Sequence, residues 1–182
     1  MPPASRILCC VAALALSGCY ESMHPLGPSS RGTIDKTLVG NWDCQPPRGE
    51  QSEDRATLQV QPFDPRQYYI EWKEKEKSTR YRAYGSPIGP TVVLNVQELR
   101  TNKWVFARYQ IGSDGRLSIA VVVDDALKGL SELEALRAIK ARVMDDTLYK
   151  GFAVCTPNPP PSPSTGAPTG EQSSPAPDKP NP

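Results

Sequence analysis

Histidine is the scarcest chemical resource in this chain: there is one, His24, among 182 residues. It sits between Met23 and Pro25, ahead of Gly27, Pro28 and two serines, where nothing would hold it against a partner. Acid–base and nucleophilic catalysis need a base fixed within hydrogen-bond reach of the group it serves. Ser-His-Asp and Cys-His arrangements are therefore excluded. The sequence also lacks Cys-x-x-Cys, His-x-x-x-His and a glycine-rich phosphate loop, so zinc, redox and nucleotide chemistry have no support and no cofactor is expected. An excess of one charge is missing too, with 21 Lys and Arg against 20 Asp and Glu. Nothing in that balance draws the protein to nucleic acid. The apolar run Ile7 to Leu16 spans ten residues, too few to cross a bilayer.

What is present begins with that run. Arg6, the apolar stretch and Ser17-Gly18 ahead of a cysteine have the three parts of a bacterial export signal, assigned to residues 1–18. Leu16-Ser17-Gly18-Cys19 resembles the lipobox of bacterial lipoproteins. The resemblance implies a diacylglycerol on the Cys19 thiol and cleavage just before it, giving a stable membrane anchor because more than one acyl chain is attached. Tyr20, where an Asp would favour retention at the inner membrane, implies the outer membrane of a two-membrane envelope, facing the periplasm. Residues 19–32, with Pro25, Pro28 and no hydrophobic period, read as a tether holding a domain off the membrane. His24 is then a solvated linker residue.

From residue 33 to 155 the pattern is that of a β-domain. Ala56, Leu58 and Val60 alternate with polar residues, and Tyr68, Ile70 and Trp72 share one face of the next strand. Asp64-Pro65-Arg66 and Gly112-Ser113-Asp114-Gly115 supply turns. The alternating charges Lys73 to Lys77 mark a solvated hairpin tip. Further strands are expected over Thr79–Ser86, Thr91–Gln97, Lys103–Ile111, Arg116–Val123 and Leu148–Cys155. Val121-Val122-Val123 is apolar on both faces, which suits a strand covered on its outer side. Ser131-Glu132-Leu133-Glu134 is a capping box and opens a helix whose stripe Leu133, Leu136, Ile139 and Val143 would provide the cover. Asp145-Asp146 is expected to end it. The fold expected is mainly β, an antiparallel barrel or strongly curved sheet of about seven or eight strands with one packed α-helix.

Gly40-Asn41-Trp42 at the first strand resembles the lipocalin signature, in which the Trp closes the bottom of a small barrel. The layout over residues 33–155 is similar to that of small bacterial lipoproteins and brings no catalytic residue with it. Of the five cysteines, Cys9 and Cys10 lie in the signal and Cys19 is the modification site. Cys44 and Cys155 remain, and are expected to pair in an oxidising compartment. Ten of the twenty prolines fall in residues 156–182, a tail that cannot build a core and reads as disordered.

These features lead to two functional expectations. One is a non-enzymatic structural or accessory module, lipid-anchored to the membrane and meeting an envelope protein or cell-wall partner. The other is a lipocalin-type carrier of a small apolar or anionic amphiphilic ligand. The first is preferred because Tyr68, Trp72, Tyr81, Trp104 and Phe106 are bulky enough to fill an eight-stranded lumen. In the carrier reading those five and Arg108 line the pocket. Arg108 shares a face with Trp104 and Phe106, and the opposite face, Val105, Ala107, Tyr109 and Ile111, is the better core candidate. Arg108 is accordingly expected at the surface, stacked on an aromatic ring.

Overall fold

The computed structural model describes residues 18–47 and 55–158. The stretch expected to be an export signal, up to residue 17, most of the loop after Cys44 and the proline-rich stretch from residue 159 lie outside the described residues. Eight strands close into an antiparallel barrel in which each pairs with its neighbours in sequence and the last returns to the first. They are β1 (Gly40–Gln45), β2 (Ala56–Asp64), β3 (Gln67–Glu74), β4 (Lys77–Ile88), β5 (Thr91–Glu98), β6 (Trp104–Ile111), β7 (Leu117–Val122) and β8 (Tyr149–Pro157). Closure removes the unpaired edges that an open sheet would leave for aggregation. The strand following Cys44 stops where Pro46 and Pro47 withdraw two backbone donors. β8 runs past Cys155, with Thr156 opposite Asp43 and Pro157 opposite Trp42, so the barrel takes in two residues expected in the tail.

The closing seam carries the disulfide. Cys44 and Cys155 face each other in register, with their Cα atoms 4.0 Å apart, within the reach a disulfide needs. The link joins the first and last strands directly. It therefore fixes the one pairing with the greatest sequence separation, 111 residues.

Alternation along each strand divides the side chains into two apolar populations. Trp42, Leu58, Val60, Ile70, Ala83, Leu94, Ala107 and Val121 point into the barrel. Tyr84, Val93, Trp104, Phe106 and Val122 point out and pack under other elements. The outer population is covered from two directions. One is the helix α1 (Glu132–Ala141), which begins at the expected capping box: Ser131 Oγ accepts from Glu134 N while Glu134 Oε2 accepts from Ser131 N at 2.9 Å. Its buried residues are Ala135 and Ile139, packed with Phe106 and Val122. The expected stripe is thus corrected in two respects. Leu133 is 58% exposed, and small Ala135, four residues before Ile139, takes the contact face and lets the helix approach closely. The helix also ends at Ala141, before Asp145, which instead caps the short 3-10 turn Asp146–Leu148 through Thr147 N at 2.9 Å.

The second cover is the segment expected to be a tether. Residues 20–32 lie along the barrel, with Tyr20, Ser22 and Leu26 all buried. Tyr20 stacks near Phe106, ring centroids 6.3 Å apart. Backbone pairs hold it at three places: Tyr20 N to Val122 O, Ser22 with Trp104 in both directions, and Thr33 with Gly85 in both directions. Gly85 is required at the last of these, because a Cβ there would lie 2.7 Å from Val92 Cγ1 and 3.0 Å from Thr33 Oγ1. Asn95, fully buried on β5, accepts from Leu26 N at 2.8 Å and donates to Ser86 Oγ at 2.9 Å. A buried amide satisfied this way specifies where the segment lies.

Candidate functional site

The two ends of the barrel differ. At the end where β1 enters, the 3-10 turn Lys36–Leu38 plugs the opening. Leu38 is buried in the lumen cluster, and Trp42 Nε1 donates to Leu38 O at 3.1 Å. Asp35 ties this plug to the wall: its backbone bonds the Tyr68 hydroxyl, and its Oδ2 accepts from Tyr109 OH at 2.9 Å. The Thr37 hydroxyl, bonded to Asp35 Oδ1 at 2.6 Å, is the main reason the Asp35 carboxyl titrates below its usual range. Burial and the bond to Asp35 together push the Tyr109 phenol up.

The other end is formed by the β3–β4 and β5–β6 connections and by the excursion from β7 through α1 to β8. Here a cavity of about 110 Å³ opens into the lumen. Leu58, Val60, Ile70, Leu94, Ala107 and Val121 form its depth, all of them hydrocarbon and all buried. Trp72, Tyr81, Val96 and Phe152 stand nearer the opening and are only partly buried. The rings of Trp72 and Phe152 lie 5.1 Å apart. Burial is the chief cause pushing the Tyr81 phenol up to about 12. Charged groups enter at the rim, as Glu21, Glu98 and Lys103, and at the plugged end the Tyr109 hydroxyl is bonded to Asp35. Lys103 Nζ is paired with Glu21.

Cys19 completes the lining. Period-two alternation carries into the N-terminal segment: Cys19 and Glu21 turn to the cavity while Tyr20 between them joins the outer cluster. The residue pairs with Val123 just beyond the end of β7. Burial raises its thiol above the ordinary value. Next to it the segment is clasped to α1 by one carboxylate. Glu132 Oε1 accepts from Ser22 Oγ at 2.6 Å, Met23 N at 2.6 Å and His24 N at 3.1 Å, with His24 Nδ1 at 3.2 Å. These bonds, led by that from Ser22, hold the Glu132 carboxyl down at about 2. His24 keeps an exposed ring, as a linker residue would, but its backbone is tied in place.

Of the residues expected to line a pocket, the structure brings Trp72 and Tyr81 together at the cavity and puts Tyr68 in the same lumen, at the plugged end. Trp104 and Phe106 are corrected, as is the place of Arg108 in the carrier reading, whereas the outward, stacked position preferred for Arg108 is borne out. Alternation along β6 sends them outward, and Val105, Ala107 and Tyr109 of the same strand face the cavity. Arg108 lies at the surface with Cζ 4.3 Å from the Tyr149 ring centroid and its guanidinium paired with Asp146. Sequence reasoning did not associate Cys19 with the lumen. The signal for it was faint, since only the two-residue alternation of Cys19 and Glu21 against Tyr20 and Ser22 distinguishes this stretch from a linker.

Among the described residues no three His, Cys, Asp or Glu side chains gather to hold a metal ion, and no helix is long and apolar enough to cross a membrane. The fold and site define an eight-stranded up-and-down barrel, plugged at one end and open at the other onto an apolar lumen. No protein-family model, curated protein or solved structure matches the chain.

Proposed function

We propose that this protein is a lipid-anchored component of a bacterial cell envelope, carried at the outer membrane on its periplasmic side, and that it acts as a non-enzymatic accessory module. The observation that carries this reading is the position of Cys19. The cysteine of a lipobox-like sequence lies folded against the open end of the barrel and is not at the tip of a free spacer. A diacylglycerol on that sulfur would hold the barrel at the membrane surface with its mouth toward the lipid. The lumen is too small for a carrier of whole amphiphiles, because sites for drug-sized ligands occupy about 300–1,000 Å³ and this one holds about 110 Å³. The faces left for an envelope or cell-wall partner are the outer wall away from α1 and the tail beyond Pro157.

The carrier reading keeps one observation in its favour, the largely hydrocarbon depth of the cavity. It requires that a lipid leave with the protein. Metabolic labelling with palmitate and fractionation of the envelope test the proposal. Label in the outer-membrane fraction, lost in Cys19→Ser, is the expected result. Label retained in that variant would overturn it. Mass spectrometry of material co-purified from the native membrane separates the two functions, because a stoichiometric free lipid supports a carrier and a protein partner supports an accessory module.

A further inference from the structure

We infer that the occupant of the barrel cavity is the end of one of the protein's own acyl chains, one of the two on the diacylglycerol carried by the sulfur of Cys19. The inference rests on the proposed lipidation and goes beyond it by assigning the lumen a ligand. Four observations carry it. Cys19 is itself part of the cavity lining, so a glycerol on its sulfur, and the acyl chains esterified to it, are held at the mouth. Its side chain lies on the cavity side of the segment, since Tyr20 next to it joins the outer cluster. The depth of the cavity is lined by Leu58, Val60, Ile70 and Leu94, and the Tyr109 hydroxyl at the plugged end is already bonded to Asp35, so the lining offers little to a headgroup. The volume, about 110 Å³, is of the order of a dry apolar cavity of about 150 Å³ that takes benzene, enough for a few methylenes and not for a whole lipid.

The driving force differs from that of a soluble ligand. A chain in the bilayer is already out of water, so transfer into the lumen gains little from the hydrophobic effect. The gain comes from packing: an unfilled apolar cavity forfeits the dispersion contacts of its lining, and a chain end restores them. Attachment at the mouth supplies the rest, because a tethered group enters at a high effective concentration without the entropy loss of free association. Only one chain end fits. The remaining chains stay in the bilayer as the anchor, and the docked chain fixes the angle at which the barrel stands on the membrane. The pairing of Cys19 with Val123, the backbone bonds of Tyr20 and Ser22, and the Glu132 clasp on Ser22, Met23 and His24 together keep Cys19 at the mouth.

A dansyl-tagged undecanoic acid tests this by its fluorescence on the full chain purified in detergent, in the wild type and in Cys19→Ser. Intact mass first establishes whether wild-type Cys19 carries a diacylglyceryl group. If it does not, the lipidation reading fails and this inference fails with it. If it does, the lipid-free variant should bind the probe while the lipidated protein binds it at least about tenfold more weakly, a gap of about one power of ten in Kd. Val96→Trp in the Cys19→Ser background, with Ile119→Trp as a second blocking variant should the first lose its circular-dichroism spectrum, should abolish binding. Equal binding by lipidated and lipid-free protein, binding by neither, or binding that survives a folded blocking variant would overturn the inference and leave the lipidation standing.

Discussion

The two faces of β6 show how this barrel distributes its bulk. Outward, Trp104 and Phe106 are buried under α1 and the N-terminal segment, packed with Tyr20, Val122 and Ile139, and Phe106 is 0% exposed. Inward, Val105, Ala107 and Tyr109 face a lumen that is not filled. The outer side of this wall is thus packed as a core, and the inside is left loose at one end. The lesson is that large aromatics do not identify the interior of a barrel. Where a helix and a strap cover the outside, the bulk can be spent there, and smaller residues on the alternate positions leave space within.

The largest effect should come from the seam that belongs to the lumen side alone. Replacing Cys44 and Cys155 with Ser opens a loop of 111 residues and should cost about 4–5 kcal/mol in the chain-entropy account, read as a lower urea midpoint. A loss well under that range would mean that the outer cover already constrains the unfolded chain or holds the seam without it. Next, the two faces should respond differently to substitution. Phe106→Ala removes a ring from a filled cluster and should cost about 3–5 kcal/mol. Val96→Ile adds a methylene on the cavity side and should be neutral or stabilising by about 0.5–1 kcal/mol. Equal destabilisation by both, measured by urea unfolding, would show that the lumen is as tightly packed as the outside.

A smaller effect should follow acidification. The Glu132 carboxyl is held at about 2 against an ordinary 4.5, so its contribution to the folded state is present above about pH 4.5 and is lost as pH falls toward 2. The protection of the Met23 and His24 amides, taken relative to their intrinsic exchange rates, should therefore fall in that window before that of the strands, and Glu132→Gln should remove the pH dependence. The smallest effect belongs to Arg108. It stacks on Tyr149 from a half-exposed position and pairs with an exposed Asp146, so Arg108→Ala should cost about 0.5–1 kcal/mol and leave probe binding in the lumen unchanged.

Much of the fold was legible because it is written in short-range pattern. Period-two alternation in Ala56 to Val60 and Tyr68 to Trp72, the turn residues at Asp64 to Arg66, and the Ser131 capping box are local, and each reappears in the structure. The pairing of Cys44 with Cys155 followed from counting. Arg108 could be placed outside because its opposite face was the more apolar. The candidate site was less legible. The same alternation that turned Arg108 outward also turned Trp104 and Phe106 outward, yet size alone had suggested them as lumen filling. The N-terminal strap was barely legible: its alternation covers only the few residues from Cys19 to Ser22, and Trp104, Asn95 and Glu132, the partners that fix Ser22 and Leu26, lie 69 to 110 residues away. Its order comes from bonds to particular distant atoms, and no local propensity encodes those.

Under the proposed lipidation, the strap also decides how the barrel would stand on a membrane. As a free spacer, thirteen residues from Tyr20 to Gly32 would let the barrel ride up to about 40 Å above the anchor; folded onto the wall, they leave no such freedom. Neutron reflectometry of the lipidated protein on a supported bilayer measures that separation directly. The account predicts a protein layer in contact with the headgroups and no hydrated gap. A water-filled layer tens of ångströms thick between barrel and bilayer would contradict it.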